Sequence, residues 1–323
     1  MIRFDSDYTE GCIPEILTAL TNTNDEQTIG YGKDNHCFNA ANLIKQTIKR
    51  EDADIHFMVG GTQTNITVIT SILKHHQGAI CAERGHINTH ETGAIESVGH
   101  KCLTLPTSNG KITAKQVDTL IQEHYSDASS EHTVQPGIVY ISFPTESGTL
   151  YSKQELTELY TVCQNHNIPL FIDGARLGYG LMSKKNDVNF EDIANLCDVC
   201  YIGGTKVGAL FGECIVILND LYKKDFRYSI KQHGGMLAKG RMLGIQFEEL
   251  FKNNRYLTIS KHAIDMAEIL SEGFQSKGYH FYFPAETNQL FPIFENAKLE
   301  ELSKEFAFTP WAKIDETHTA VRF

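Results

Sequence analysis

Leu170-Phe171-Ile172-Asp173-Gly174-Ala175-Arg176 is an apolar run that closes on an acid, two small residues and an arginine. Its core, Leu170–Asp173, predicts a buried strand, since it is too short for a core helix. An ionised carboxylate is seldom buried without a partner, which makes Asp173 a candidate site residue. The plainer reading is an N-cap for a following helix.

Working outward, the same alternation recurs on both sides. Ile138–Phe143 reads as a strand and Lys153–Asn165 as a helix, with Ser152 as its N-cap. Further back, Ile55–Val59 reads as a strand and Thr62–Lys74 as a helix. Ala79–Ala82 and Cys102–Leu105 follow as short strands, then Ala114–Glu123 as a helix. Beyond Arg176, Val199–Ile202 and Cys214–Ile217 close the series. Strands alternating with helices from Asp54 to Leu218 define an α/β core with a mostly parallel sheet. Ligands in such sheets bind where the carboxyl ends of strands meet helix starts.

After Tyr222 the pattern changes. Gly240–Phe251 and Tyr256–Lys277 read as helices. Phe281–Phe283, Gln289–Phe294 and Ala320–Phe323 are strand-like, around a helix at Lys298–Glu305. The expected partition is an N-terminal arm over 1–15, a large domain over 16–245 and a smaller α+β domain over 246–323. The arm is expected to pack on the small domain or on a partner. The chain stops at Phe323 inside an apolar strand-like run, so a shortened C-terminus is expected.

The 323 residues are 41% hydrophobic, enough for a large core, and carry a formal net charge of -11. An acidic chain argues against a general nucleic-acid binder. No stretch approaches the roughly 20 apolar residues of a membrane span, and the N-terminus lacks a signal core. Eight cysteines are scattered through apolar segments, which fits a reducing cytoplasm. Cys197 and Cys200 have C-x-x-C spacing but no second such pair, so no metal site is read. Strand alternation would place them on opposite faces, as buried thiols.

Two further stretches repeat the Asp173 pattern at strand ends. Gly60-Gly61-Thr62-Gln63-Thr64-Asn65 precedes a helix, where exposed backbone N–H groups and the helix dipole favour an anion. Gly203-Gly204-Thr205-Lys206 places a lysine behind a strand and two glycines. Confinement there lowers the amine pKa and frees it for imine formation. A turn with a threonine cap and a solvated loop lysine are the plainer alternatives.

Cradle, acid and lysine in this order resemble the threonine aldolase and β-eliminating lyase family of fold-type I pyridoxal-phosphate enzymes. The likeness runs from about Asp5 to the end of the chain. Its most telling pieces are Gly61–Asn65, His86 with Glu91-Thr92-Gly93-Ala94, Asp173–Arg176 and Thr205-Lys206; Ser6, Tyr31-Gly32 and Val321-Arg322 add to it. The resemblance implies a mostly parallel seven-stranded sheet flanked by helices, and a smaller C-terminal α+β domain. It implies pyridoxal 5'-phosphate as cofactor, with Lys206 as the Schiff-base lysine. Asp173 would pair with the pyridine nitrogen. Gly61, Thr62 and Gln63 would hold the phosphate and His86 would stack on the ring. Ser6, Arg176 and Arg322 would bind the substrate carboxylate, with Tyr31 a further substrate residue. The implied reaction is cleavage of L-threonine or L-allo-threonine to glycine and acetaldehyde, in a homodimer or homotetramer with sites at subunit interfaces.

Two positions depart from the family pattern. Many members carry a histidine where Pro144-Thr145-Glu146-Ser147-Gly148 has Glu146. The base that takes the β-hydroxyl proton is therefore open among His86, His90, Glu146 and a water. Leu237 stands where an arginine often reaches the neighbouring subunit's phosphate, with Lys239 and Arg241 nearby. The alternative function is another pyridoxal-phosphate reaction: β-elimination, transamination or cleavage of a different β-hydroxy amino acid.

Overall fold

The computed structural model describes residues 1–323. Its strands are β1 (Ile2–Arg3), β2 (Asp54–Met58), β3 (Gln77–Ala82), β4 (Cys102–Leu105), β5 (Gln135–Ser142), β6 (Leu170–Gly174), β7 (Val199–Gly203), β8 (Glu213–Ile217), β9 (Ile293–Glu295), β10 (Phe306–Ala307), β11 (Thr309–Lys313) and β12 (His318–Arg322). The helices are α1 (Pro14–Asn22), α2 (Asn35–Ile48), α3 (Gly61–Ile72), α4 (His86–Thr89), α5 (Ala94–Ser97), α6 (Ala114–Ser126), α7 (Lys153–Asn165), α8 (Leu177–Met182), α9 (Phe190–Asn195), α10 (Phe226–Gln232), α11 (Arg241–Phe251), α12 (Arg255–Ser276) and α13 (Asn296–Leu302).

Seven strands form one sheet in the order β2-β8-β7-β6-β5-β3-β4. Every neighbouring pair is parallel except those of β8, which runs against both β7 and β2. Along each strand, alternate residues serve opposite faces. Val139, Ile141, Ile172, Cys200 and Val216 enter one apolar cluster, whereas Ile138, Tyr140, Phe171, Tyr201 and Ile215 enter the other. Both faces are thus covered, the condition under which a mostly parallel sheet is stable.

A second sheet, β11-β12-β9, is antiparallel, and β1 pairs in parallel with β10. The N-terminal residues therefore dock on the C-terminal segment, one of the two placements expected. The expected strand Gln289–Phe294 is interrupted: Pro292 has no N–H to donate, so the regular strand is β9, while Leu290 and Phe323 still exchange two backbone hydrogen bonds at 2.9 Å. Helices α1 and α2 and strand β11 were not read from the sequence. No helix is long and apolar enough to cross a membrane.

Local signals set several element boundaries. Ser152 Oγ accepts the Glu155 N–H at 3.2 Å, and Glu155 returns a bond to the Ser152 N–H at 2.7 Å, which starts α7 where the cap predicted. Cys197 precedes β7, so strand alternation does not separate it from Cys200; both thiols lie buried in the same apolar cluster. The expectation of opposite faces fails for that reason.

Candidate active site

Parallel strands turn their C-terminal ends to one edge of the sheet, and each delivers a residue there. β2 runs into Gly60 and α3, β3 into His86, β5 into Glu146, β6 into Asp173 and β7 into Lys206. Because β8 runs the other way, its first residue, Glu213, reaches the same edge, in register with Gly203 and Met58. These side chains and Arg176 line one cavity of about 270 Å³.

Helix α3 starts at Gly60 without a side-chain cap. The N–H groups of its first turn, Gly61, Thr62 and Gln63, have no helical acceptor and face an anion site by default. A Cβ on Gly61 would lie 3.3 Å from the Tyr201 hydroxyl, so glycine keeps this rim open. Gln63 corrects the sequence reading in part. Its side-chain amide accepts from Val59 N and donates to His233 O at 3.0 Å, and so braces the loop after α10. Its side chain is thus engaged, and its backbone N–H is what remains at the helix start.

Asp173 is buried, and its partners are neutral donors. Oδ1 accepts the Ala175 N–H at 3.0 Å; Oδ2 accepts from the Tyr140 hydroxyl and, at 3.4 Å, from Asn65 Nδ2. Arg176, not Asp173, occupies the N-cap position of α8, which removes the capping alternative. Lys206 points into the cavity with Nζ 6.0 Å from the Tyr8 ring centroid. Burial, and then the Arg176 guanidinium, lower its amine below the ordinary lysine value.

His86 and Glu146 are tied together. Glu146 Oε1 accepts from Ser142 Oγ at 2.6 Å and from the His86 N–H at 2.9 Å. Burial raises the Glu146 carboxyl above the usual range. His86 Nδ1 lies 2.7 Å from Oε1 of the buried Glu91, which in turn accepts from Asn65 Nδ2 at 2.7 Å. Burial opposes the imidazolium, but Glu91, Asp173 and Glu146 outweigh it and raise the His86 pKa. His90 stacks on His86 with ring centroids 5.7 Å apart.

A smaller cavity of about 140 Å³ adjoins this one, lined by Ser6, Asp7, Arg176 and Arg322. Arg176 forms a two-pronged pair with Asp7, Nε to Oδ2 at 2.6 Å and Nη2 to Oδ1 at 3.1 Å. Burial alone would raise the Asp7 carboxyl; Arg176 outweighs it and holds it at about 2. Arg322 donates to the Asp5 carbonyl at 3.0 Å, and burial and Arg176 lower its pKa. Ser6 Oγ is buried with no hydrogen-bond partner. Asp7 is the one carboxylate among the lining residues, beside the guanidiniums of Arg3, Arg176 and Arg322, so the pocket is net positive even with Arg3 paired to Asp5, and the Ser6 hydroxyl is unused.

Within one chain, Tyr31 stands apart from the other expected site residues. It is 47% exposed and lines a different cavity, with Arg227 and Phe38. The turn before α2 carries it away from the Lys206 edge within one chain. Arg241 is spent on the Glu26 and Asn24 carbonyls. The sequence reading named Asn65 and Glu91 in motifs without assigning them roles, and it missed Asp7, Tyr140, Ser142 and Glu213. Glu213 had a signal, an acid at a strand terminus. It stands at the amino end of its strand, whereas ligand residues in a parallel sheet are expected at the carboxyl ends.

Fold and site together define a fold-type I architecture. A family model described as beta-eliminating lyase matches residues 4–297. A low specificity L-threonine aldolase of a Pseudomonas species is 30% identical over 306 residues, covering 93% of this chain and 86% of that protein. A solved threonine aldolase from Leishmania major superposes with a TM-score of 0.97 at 43% identity, covering 100% of this chain and 93% of that one. The chain belongs to the beta-eliminating lyase family. Cystalysin from Treponema denticola, which contains pyridoxal 5'-phosphate, shares the fold at a TM-score of 0.73 and 16% identity, covering 100% of this chain and 86% of that one.

Proposed function

We propose that this chain is a pyridoxal-phosphate-dependent threonine aldolase that cleaves L-threonine or L-allo-threonine to glycine and acetaldehyde. The observation that carries the reading is a single cavity that joins the uncapped start of α3, the Lys206 amine and the buried Asp173 carboxylate. The donor set fits the cofactor. Free N–H groups suit its phosphate, an amine whose pKa burial and Arg176 lower suits its aldehyde, and a buried acid without an ion-pair partner suits its ring N–H. Bound there, the cofactor supplies an electron sink for a bond broken at the α-carbon.

The chain's own residues supply the rest. Lys206 would hold the cofactor through Nζ. Asp173, fixed by Tyr140, Asn65 and the Ala175 N–H, would be the partner for its ring N–H. His86, oriented by Glu91, would stand against its ring. Ser6 and Arg322 would bind the substrate carboxylate directly, and Arg176, engaged by Asp7, would add its positive charge to the same pocket. Glu146 takes the β-hydroxyl proton, since its carboxyl is held within the cavity and raised toward neutrality.

The proposed molecule is a cytoplasmic homodimer or homotetramer, divided into an arm over 1–15, a large domain over 16–245 and a small domain over 246–323. Free cysteines, seven of the eight buried, support a reducing compartment. The exposed Tyr31 and Phe38 beside one cavity support a partner surface there, from which Tyr31 would reach a neighbour's site.

The deciding experiment measures acetaldehyde and glycine from L-threonine and L-allo-threonine with cofactor-saturated protein. Equal amounts of both products support the aldolase. Ammonia and a keto acid instead would move the reaction to β-elimination.

A further inference from the structure

Glu213 has no part in this catalytic set, yet it lines the same cavity. It is buried, and its carboxylate accepts the backbone N–H of Gly204 at 3.3 Å rather than meeting a cation in an ion pair. Antiparallel pairing sets it beside Met58 on β2 and Gly203 on β7. The first of these strands leads to the α3 N-terminus and the second to the Lys206 loop. The side chain lines the same cavity as Gly60, Gly61 and Thr62. A carboxylate there opposes the anion that the helix start attracts, whereas a carboxylic acid does not and has a proton to donate.

We propose that Glu213 gates the anion cradle: its acid form admits the cofactor's phosphate, and its ionised form repels it. The proposal rests on the pyridoxal-phosphate reading. The change of state is loss of one proton from the carboxyl to solvent, with no other bond made or broken.

The groups that face Glu213 favour the acid form near neutrality. Asp173 from β6 adds negative charge, while Tyr201 from β7, Tyr256 from α12 and the neighbouring Cys214 add no positive charge. Lys206 is the cation among them, and its ammonium is itself disfavoured by burial and by Arg176, with Asp7 acting the other way. Burial therefore raises the Glu213 carboxyl to about 8, against the partial pull of Thr205 and Lys206.

The test uses cofactor-free protein and two aldehydes, pyridoxal phosphate and pyridoxal, which differ in the phosphate. Binding is followed by the imine absorption band from about pH 6.5 to about pH 9.5, a range that spans the raised carboxyl pKa. For wild type, affinity for pyridoxal phosphate relative to pyridoxal should fall roughly tenfold per pH unit above about 8, because only the protonated gate binds. Glu213→Gln should remove the fall, and Glu213→Asp should restore it. Taking the ratio cancels the titration of Lys206, which both aldehydes share; the phosphate's own titration is common to wild type and variant. An equal slope in Glu213→Gln overturns the gate, as does a parallel fall for pyridoxal, which would mean action through Lys206. Failure of both aldehydes to give the band in wild type overturns the cofactor reading and the gate with it.

Discussion

Lys206→Ala removes the cavity's amine without opening the core, so the protein should stay folded while the imine absorption band disappears. A retained band would place the reactive lysine elsewhere. Glu146→Gln keeps the hydrogen-bond geometry with Ser142 but removes the base. Its kcat should drop by about a hundredfold or more while the absorption band persists, within the usual contribution of a positioned base. Because burial raises this carboxyl, wild-type activity should climb with pH through a limb displaced above the ordinary glutamate range. The variant should lose that limb; an unchanged pH profile would transfer the role to His86 or His90. Asp7 makes a separate prediction. Its folded pKa is depressed from 3.8 to about 2, so its pair with Arg176 stabilises the fold above pH 4 and loses that effect as pH falls toward 2. The contribution is about 2 kcal/mol. The stability gap between wild type and Asp7→Asn in denaturant titrations should therefore close on acidification, and a constant gap would argue that the pair does not titrate with folding.

Elements convert such residues into a site through strand direction. His86, Glu146, Asp173 and Lys206 are far apart in sequence, and parallel pairing of β3, β5, β6 and β7 brings their ends to one edge. Caps fix where the elements start. Ser152 and Glu155 form a reciprocal pair at α7, away from the cavity. Ser152→Ala should cost about 1 kcal/mol of stability in chemical denaturation and leave kcat unchanged. A change in kcat would show that α7 is coupled to the site. Gly203 illustrates the tolerance between elements: a Cβ there would lie 2.3 Å from the Ala175 carbonyl oxygen, so β7 approaches the end of β6 only with glycine.

At the scale of the whole molecule, the N-terminal residues and the last strand meet beside Arg176. Arg322 on β12 reaches the Asp5 carbonyl, and Asp7 reaches Arg176. Chain ends about 300 residues apart thus meet at one pocket, a closure that the three-dimensional fold supplies. The exposed Tyr31 and Phe38 predict an assembly larger than the monomer. Sedimentation should give the mass of a dimer or tetramer; a monomer with full activity would exclude a shared site.

The sequence by itself determined the α/β core, the chain order of cradle, acid and lysine, and the family. Those signals are local: apolar runs of strand length, glycine pairs at strand ends, and a cap at Ser152. Lys206 and Asp173 were legible because each closes such a run. Tertiary structure alone decided that Gln63 braces His233, that Tyr31 lies outside the chain's own cavity, and that Asp7 takes Arg176. It also decided that Glu213, at the start of a strand, shares an edge with residues at the ends of others. The physical reason is direction. An antiparallel β8 turns its first residue toward the carboxyl ends of its neighbours, and strand direction is set by pairing across the sheet, not by the residues of the strand.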